Sequence, residues 1–165
     1  MAELQRITTQ YIAVEDRVRL AGKTDSDTPV VMWLTQRLLA RMVPVLLRWL
    51  ESNAAGAFQP AIAHGFAQHA ARAGLRLSEP VLPAANSMAW LVSVVDVAQS
   101  SLTMQLTFKG GDDERIDFIL EAQPLRQWLA ILHNAYRQAE WPFDIWPDWI
   151  NDKNDNVLEP GTVLH

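Results

Sequence analysis

Residues 35–51, Thr35 to Glu51, read TQRLLARMVPVLLRWLE, and the way this stretch must be covered decides the fold. Wound at about 100° per residue, Leu38, Leu39, Met42, Val43, Val45, Leu46, Leu47, Trp49 and Leu50 spread over roughly 200° of helix surface. A helix lying on one side of a small domain needs an apolar stripe nearer 100° wide. This one therefore expects cover from two sides, by a sheet of its own chain and by something else. Thr35 suits the N-cap, where its hydroxyl can accept a bond from a free N–H of the first turn. Pro44 removes one backbone bond and should kink the rod. Arg37, Arg41 and Arg48 share the remaining face, within about 40° of one another.

On the N-terminal side, Ile7, Thr9 and Tyr11 alternate with Thr8 and Gln10, as in a half-buried strand. Val18 and Leu20 alternate with Arg17 and Arg19 in a second strand. Residues 21–29, AGKTDSDTP, form a polar turn, and VVMWL at 30–34 is a third strand running into the helix. On the C-terminal side, SNAAGA at 52–57 breaks the chain. A weaker helix spans 60–74, with Ile62, Phe66, Ala70 and Ala73 on one side and Gly65 counting against it. Two prolines make 78–87 a linker or an edge-crossing loop. WLVSVVDV at 90–97 reads as one strand. LTMQLTF at 102–108 and RIDFILE at 115–121 flank KGGDDE and read as a hairpin. A last helix follows, with Pro124 in its first turn and Leu125, Trp128, Leu129, Leu132 and Tyr136 on its inner face.

The two halves resemble each other. Residues 17–50 laid over 103–136, a shift of 86, match Leu20 with Leu106, Lys23 with Lys109, Asp27 with Asp113, Leu34 with Leu120, Leu39 with Leu125 and Leu46 with Leu132. Val18 with Met104, Val30 with Ile116, Met32 with Phe118 and Val45 with Ile131 keep their apolar character. Binary patterning alone makes any two hairpin-plus-helix units alike, so chance competes with duplication. The expected fold class is α+β: antiparallel β-meanders each followed by a helix, in the order βββα(α)-βββα. Duplication would give half-repeats 5–52 and 88–140 around a pseudo-twofold axis. One domain is expected over 1–150, with 151–165 a polar, mobile tail.

Composition narrows the functional classes. The chain has 165 residues, 49% hydrophobic and 20% charged, the balance of an ordinary globular protein. It has no cysteine, which excludes disulfides, thiolate metal sites and cysteine nucleophiles and is compatible with a cytoplasmic location. No run of 18 apolar residues occurs, and MAELQRITTQ lacks the basic and apolar regions of a secretory signal. The net charge of −5 is uneven: residues 1–78 hold nine Lys/Arg against six Asp/Glu, and 79–165 hold five against thirteen. Nucleic acid is not an expected partner, since counterion release requires a concentrated basic surface.

Chemistry is thinly signalled. His64 and His69 lie about 140° apart on a helix and cannot share a metal face. His133 sits at the edge of the last helix's apolar stripe, as a boundary residue would. No HExxH, GxSxG or phosphate-binding loop is present. Asp112, Asp113 and Glu114 read as a solvated hairpin tip, and NDKNDN at 151–156 lacks the glycine and the glutamate of a calcium loop, Val157 and Val163 standing in their places. No catalytic residue, cofactor or metal is expected.

Two surfaces invite inspection. The wide arc of 35–51, with Met42, Leu46, Trp49 and Leu50, suits a twofold contact and a homodimer. AEWPFDIWPDWI at 139–150 places Trp141, Trp146 and Trp149 where two prolines prevent a regular helix. Its aromatics must pack on their own domain, the simpler reading, or anchor a partner. The leading expectation is a non-enzymatic interaction or scaffold module that forms a homodimer. The alternative is a small-molecule or anionic-ligand domain, its pocket lined by Trp33, Trp90 or Trp128 and its orienting charge drawn from Arg37, Arg41 or Arg48. An enzyme would need a base such as His133 or Asp96 beside that pocket.

Overall fold

The computed structural model describes residues 2–53, 59–76, 79–84, 87–151 and 163–164. Strands β1 (Leu4–Ile12), β2 (Arg17–Thr24) and β3 (Pro29–Leu34) form an antiparallel meander that leads into α1 (Gln36–Asn53). Helix α2 (Pro60–Ala73) follows, then β4 (Met88–Leu91). A second meander, β5 (Val94–Gln99), β6 (Thr103–Lys109) and β7 (Arg115–Glu121), leads into α3 (Ala122–Ala139). A 3₁₀ turn (Asp148–Ile150) and a short β8 (Val163–Leu164) complete the described elements. The first sheet has the order β4-β3-β2-β1-β8 and the second β5-β6-β7. The α+β class and the repeated βββα order are therefore those expected.

The repeat extends to element boundaries. Shifting α1 by 86 residues lands on the bounds of α3, and the same shift carries β2 and β3 onto β6 and β7 to within one residue at their ends. The hairpin turns share their chemistry too. Asp27 and Asp113, paired by that shift, both adopt left-handed backbone with φ of 57° and 62°. Aspartate tolerates this region because its short side chain can bond the local backbone. The apolar residues matched between strands, Val18 with Met104, Leu20 with Leu106 and Met32 with Phe118 among them, are all buried.

One hydrophobic cluster takes side chains from both sheets, α1 and α3. The wide arc of α1 is covered within the chain: Leu39, Met42, Val43, Leu46, Leu47, Trp49 and Leu50 are buried. Thr35 Oγ1 accepts from the N–H of Leu38 at 3.2 Å, so the N-cap forms, and the helix runs on through Pro44. The more deeply enclosed helix is α3, where eleven of 18 residues are buried against seven in α1. Trp128 and Tyr136 lie at its centre, and Trp128 Nε1 donates to Thr9 Oγ1 on β1 at 3.0 Å.

Two expectations are corrected, and the orientation of one helix is added. The strand read over 90–97 is two strands in two sheets. The N–H of Val92 bonds the Trp33 carbonyl beyond the end of β4, whereas the next N–H, of Ser93, bonds the Lys109 carbonyl beside β6. The chain changes sheet between those two residues, and β4 pairs with β3 in parallel. On α2 the apolar stripe lies outward: its buried side chains are His64, Gln68 and Ala71, while Ile62, Phe66, Ala70 and Ala73 are exposed. Finally, the end of the stretch read as a tail returns to the sheet, where Leu164 pairs with Ile7 and is buried. Residues 152–162 lie outside the described residues.

Candidate functional site

The outward turn of α2 follows from what its inner face must meet. That face packs on α3, whose side in this region presents Arg126. Polar groups on α2 answer polar groups on α3. Arg126 Nη2 bonds His64 Nδ1 at 2.9 Å, and Gln68 Nε2 donates to the Arg126 carbonyl at 2.9 Å. Because a guanidinium only donates, Nδ1 of His64 accepts and Nε2 carries the proton. Burial, and then the charge of Arg126, lower the His64 pKa. Burial lowers the Arg126 pKa too. Apolar residues on the α2 side facing α3 would strand these groups, so the apolar stripe of α2 goes to the surface.

Trp149, in the 3₁₀ turn, caps this cluster. Its ring stacks on His64 with centroids 5.0 Å apart, and Arg126 Cζ lies 5.3 Å from its centroid. Since His64 and Arg126 touch each other, both occupy one face of the indole. Trp149 Nε1 donates to Glu51 Oε1 near the end of α1 at 3.3 Å. The indole is thus fixed by a stack, a cation and a hydrogen bond.

Between this turn and α2 lies a cleft of about 570 Å³. Two ridges of α2 line it, at helical spacings of four and three residues: Ala61, Gly65, Gln68 and Arg72, and beside them Ile62, Phe66 and His69. Asp148, Trp149, Ile150 and Asn151 form the opposite wall. Ile62 is 53% exposed and Phe66 73%, values far from those of core residues. Gln68 is only 1% exposed, and among the described residues its Oε1 has no hydrogen-bond partner. Gly65 lies in the helix interior, and a Cβ added there would meet nothing within 4 Å. Among the described residues, no neighbour requires glycine at that position.

The residues singled out in the sequence lie elsewhere, with one exception. Met42, Leu46, Trp49 and Leu50 are inside the core, so the folded chain does not offer them as an interface. Arg37, Arg41 and Arg48 are exposed along α1 and line none of the clefts described. The aromatic segment packs on its own chain. Trp141 Nε1 donates to Asp16 Oδ1 at 3.1 Å, and its ring lies edge-on to Tyr11 and Tyr136 at 5.5 and 5.1 Å. Trp146 lies edge-on to His133 and Tyr136 at 5.2 and 5.3 Å. The exception is Trp149, which reaches the cleft.

The tryptophans expected to line a pocket are placed differently. Trp128 is in the core, Trp33 is half-buried on β3, and Trp90 borders a separate recess near Pro29 and Ile116. His133 is buried against Phe143 and Trp146 instead of sitting at a boundary. Burial, followed by the charges of Arg137 and Arg72, lowers its pKa to about 4. Asp96 pairs with Lys109 across β5 and β6. Neither considered base opens on the cleft.

Among the described residues, no group of three or more acidic or histidine side chains could hold a metal ion, and no helix is long and apolar enough to cross a membrane. The chain matches no family model, no curated protein and no solved structure.

Proposed function

We propose that this protein is a non-enzymatic binding module that takes a small, mostly apolar ligand in the cleft between α2 and the 3₁₀ turn. One observation carries the reading: α2 buries His64 and Gln68 and turns Ile62 and Phe66 to the surface beside a fixed indole. Exposed large apolar side chains grouped at a concave site mark binding surfaces. The volume of about 570 Å³ lies within the range that holds compact organic ligands. Apolar walls would supply affinity. Homodimerisation through the apolar arc of α1 loses its support, because that arc fills the chain's own core.

The test is a thermal-shift screen of a small-molecule fragment library against the wild type and Gly65→Leu. A ligand selective for the native state raises the melting temperature. A leucine Cβ would meet none of the described residues within 4 Å, so its side chain enters the space over residue 65 that a ligand would use. Hits that stabilise the wild type but not Gly65→Leu support the reading. A set of hits indifferent to the substitution contradicts it.

A further inference from the structure

The two meanders are closed unequally. On the outer edge of β1, β8 pairs Leu164 with Ile7 and Val163 with Thr8. In the repeat, β5 holds the position of β1 as the first and outermost strand of its meander, and among the described residues no strand lies on its outer edge. The hydrogen bonds show what that edge presents. The N–H of Ser100 bonds the Thr103 carbonyl at 2.9 Å, in register with the pairs between β5 and β6. Bonding alternates along an antiparallel strand, so Val94, Asp96 and Ala98 turn their backbone groups to β6, and Val95, Val97 and Gln99 turn theirs outward. Val95 and Val97 stand opposite Phe108 and Leu106, both fully buried, yet Val97 is 36% exposed. The core thus runs out to an uncovered edge. The residues that commonly guard such an edge are missing: β5 has no lysine, arginine or proline, and its single charge, on Asp96, is paired with Lys109 of β6.

We infer that β5 pairs antiparallel with β5 of a second copy, centred on Val97, and joins two three-stranded sheets into one of six strands. A second copy suits this edge because the outward groups of β5 complement themselves about a twofold axis. With Val97 opposite its own mate, Val95 faces Gln99, Asp96 faces Ala98, and all three outward residues bond across the axis. Centring the pair on Asp96 would set two carboxylates directly opposite, which destabilises a sheet. Centring it on Ala98 would leave Val95 facing Ser101, beyond the end of the strand. Six residues from each copy make a small interface, so the dimer forms by mass action and dissociates on dilution.

Sedimentation equilibrium of the intact protein, from low micromolar to submillimolar concentration, tests this. The wild type is expected to move from 18.6 kDa toward twice that mass. Val97→Pro should stay monomeric with an unchanged far-UV spectrum, since the N–H it removes is not used within the sheet. Val97→Lys keeps that N–H, adds an edge charge and should weaken association about ten-fold or more; it decides the matter if the proline variant misfolds. The chain has no cysteine, so single cysteines report the register. Under mild oxidation Val97→Cys should form a covalent dimer, its Cα atoms about 5.5 Å apart. Val94→Cys, roughly 20 Å from its mate, should not. A wild type that stays monomeric throughout, or a dimer that neither substitution at Val97 weakens, would overturn the inference. So would a cross-link at Val94 and not at Val97.

Discussion

At the residue scale, two glycines differ in what surrounds them. A Cβ at Gly22 would lie 2.8 Å from Leu4 Cδ2 and 3.2 Å from the Arg6 carbonyl, inside the sheet. Gly22→Ala is therefore expected to destabilise by about 1–3 kcal/mol. Gly65→Ala, with open space and helical backbone, should instead stabilise by about 0.5–1 kcal/mol. Denaturant unfolding of the two variants checks both signs. Titration gives a second prediction. The folded chain holds the His133 pKa at about 4, against 6.5 for an unperturbed histidine. Below pH 6.5 the unfolded chain takes up a proton that the folded chain refuses, so stability falls with pH down to about 4 and then levels off. The loss is on the order of 3 kcal/mol. His64, also lowered, adds in the same direction. Chemical denaturation from pH 7 to 4 should show the decline, and His133→Leu should flatten much of it. At the alkaline end, Tyr136 is raised to about 12 by burial, so stability should fall again above pH 10 as the unfolded chain ionises.

At the element scale, α1 and α2 show what periodicity carries and what it omits. The wide arc of α1 correctly demanded cover on two sides, but that cover comes from the core of the same chain, with α3 and β5 beside it. Leu46→Asp would place a charge at a fully buried position and is expected to abolish cooperative unfolding rather than alter an association state. Gln substitutions of the exposed Arg37, Arg41 and Arg48 should each change stability by less than about 0.5 kcal/mol. In α2 the stripe of Ile62, Phe66, Ala70 and Ala73 was legible, but its direction was not. Hydrophobic patterning assumes that the apolar side faces inward, and here the polar face of α3 reverses that. The signal present in the sequence was Gly65. Read as a weakness of the helix, it coincides with the floor of the cleft.

At the scale of the whole molecule, the two meanders and their helices were legible because hairpin turns and alternation are local. The shift of 86 residues even anticipated the bounds of α3 from those of α1. The break at Val92–Ser93 was not legible, because WLVSVVDV is one apolar run and only the partners of successive N–H groups divide it. Nor was the pairing of Leu164 with Ile7, made across nearly the whole chain. These long-range contacts tie the halves together, with Trp128 on Thr9 and Gln68 on Arg126 reaching between them. Separate fragments ending and beginning in the 77–86 connection are thus expected to lack stable structure by circular dichroism and to gain it on mixing. Independent folding of either half would show that this reach is dispensable.

The most direct test of ligand recognition at the cleft is the two-dimensional amide spectrum of the isotopically labelled protein, recorded as a hit from the fragment screen is added. Binding there predicts that the largest shifts fall on Gly65, Gln68 and the indole N–H of Trp149, with β5 and the arginine face of α1 nearly unchanged. Saturable binding that leaves those three signals in place and moves residues elsewhere would contradict it.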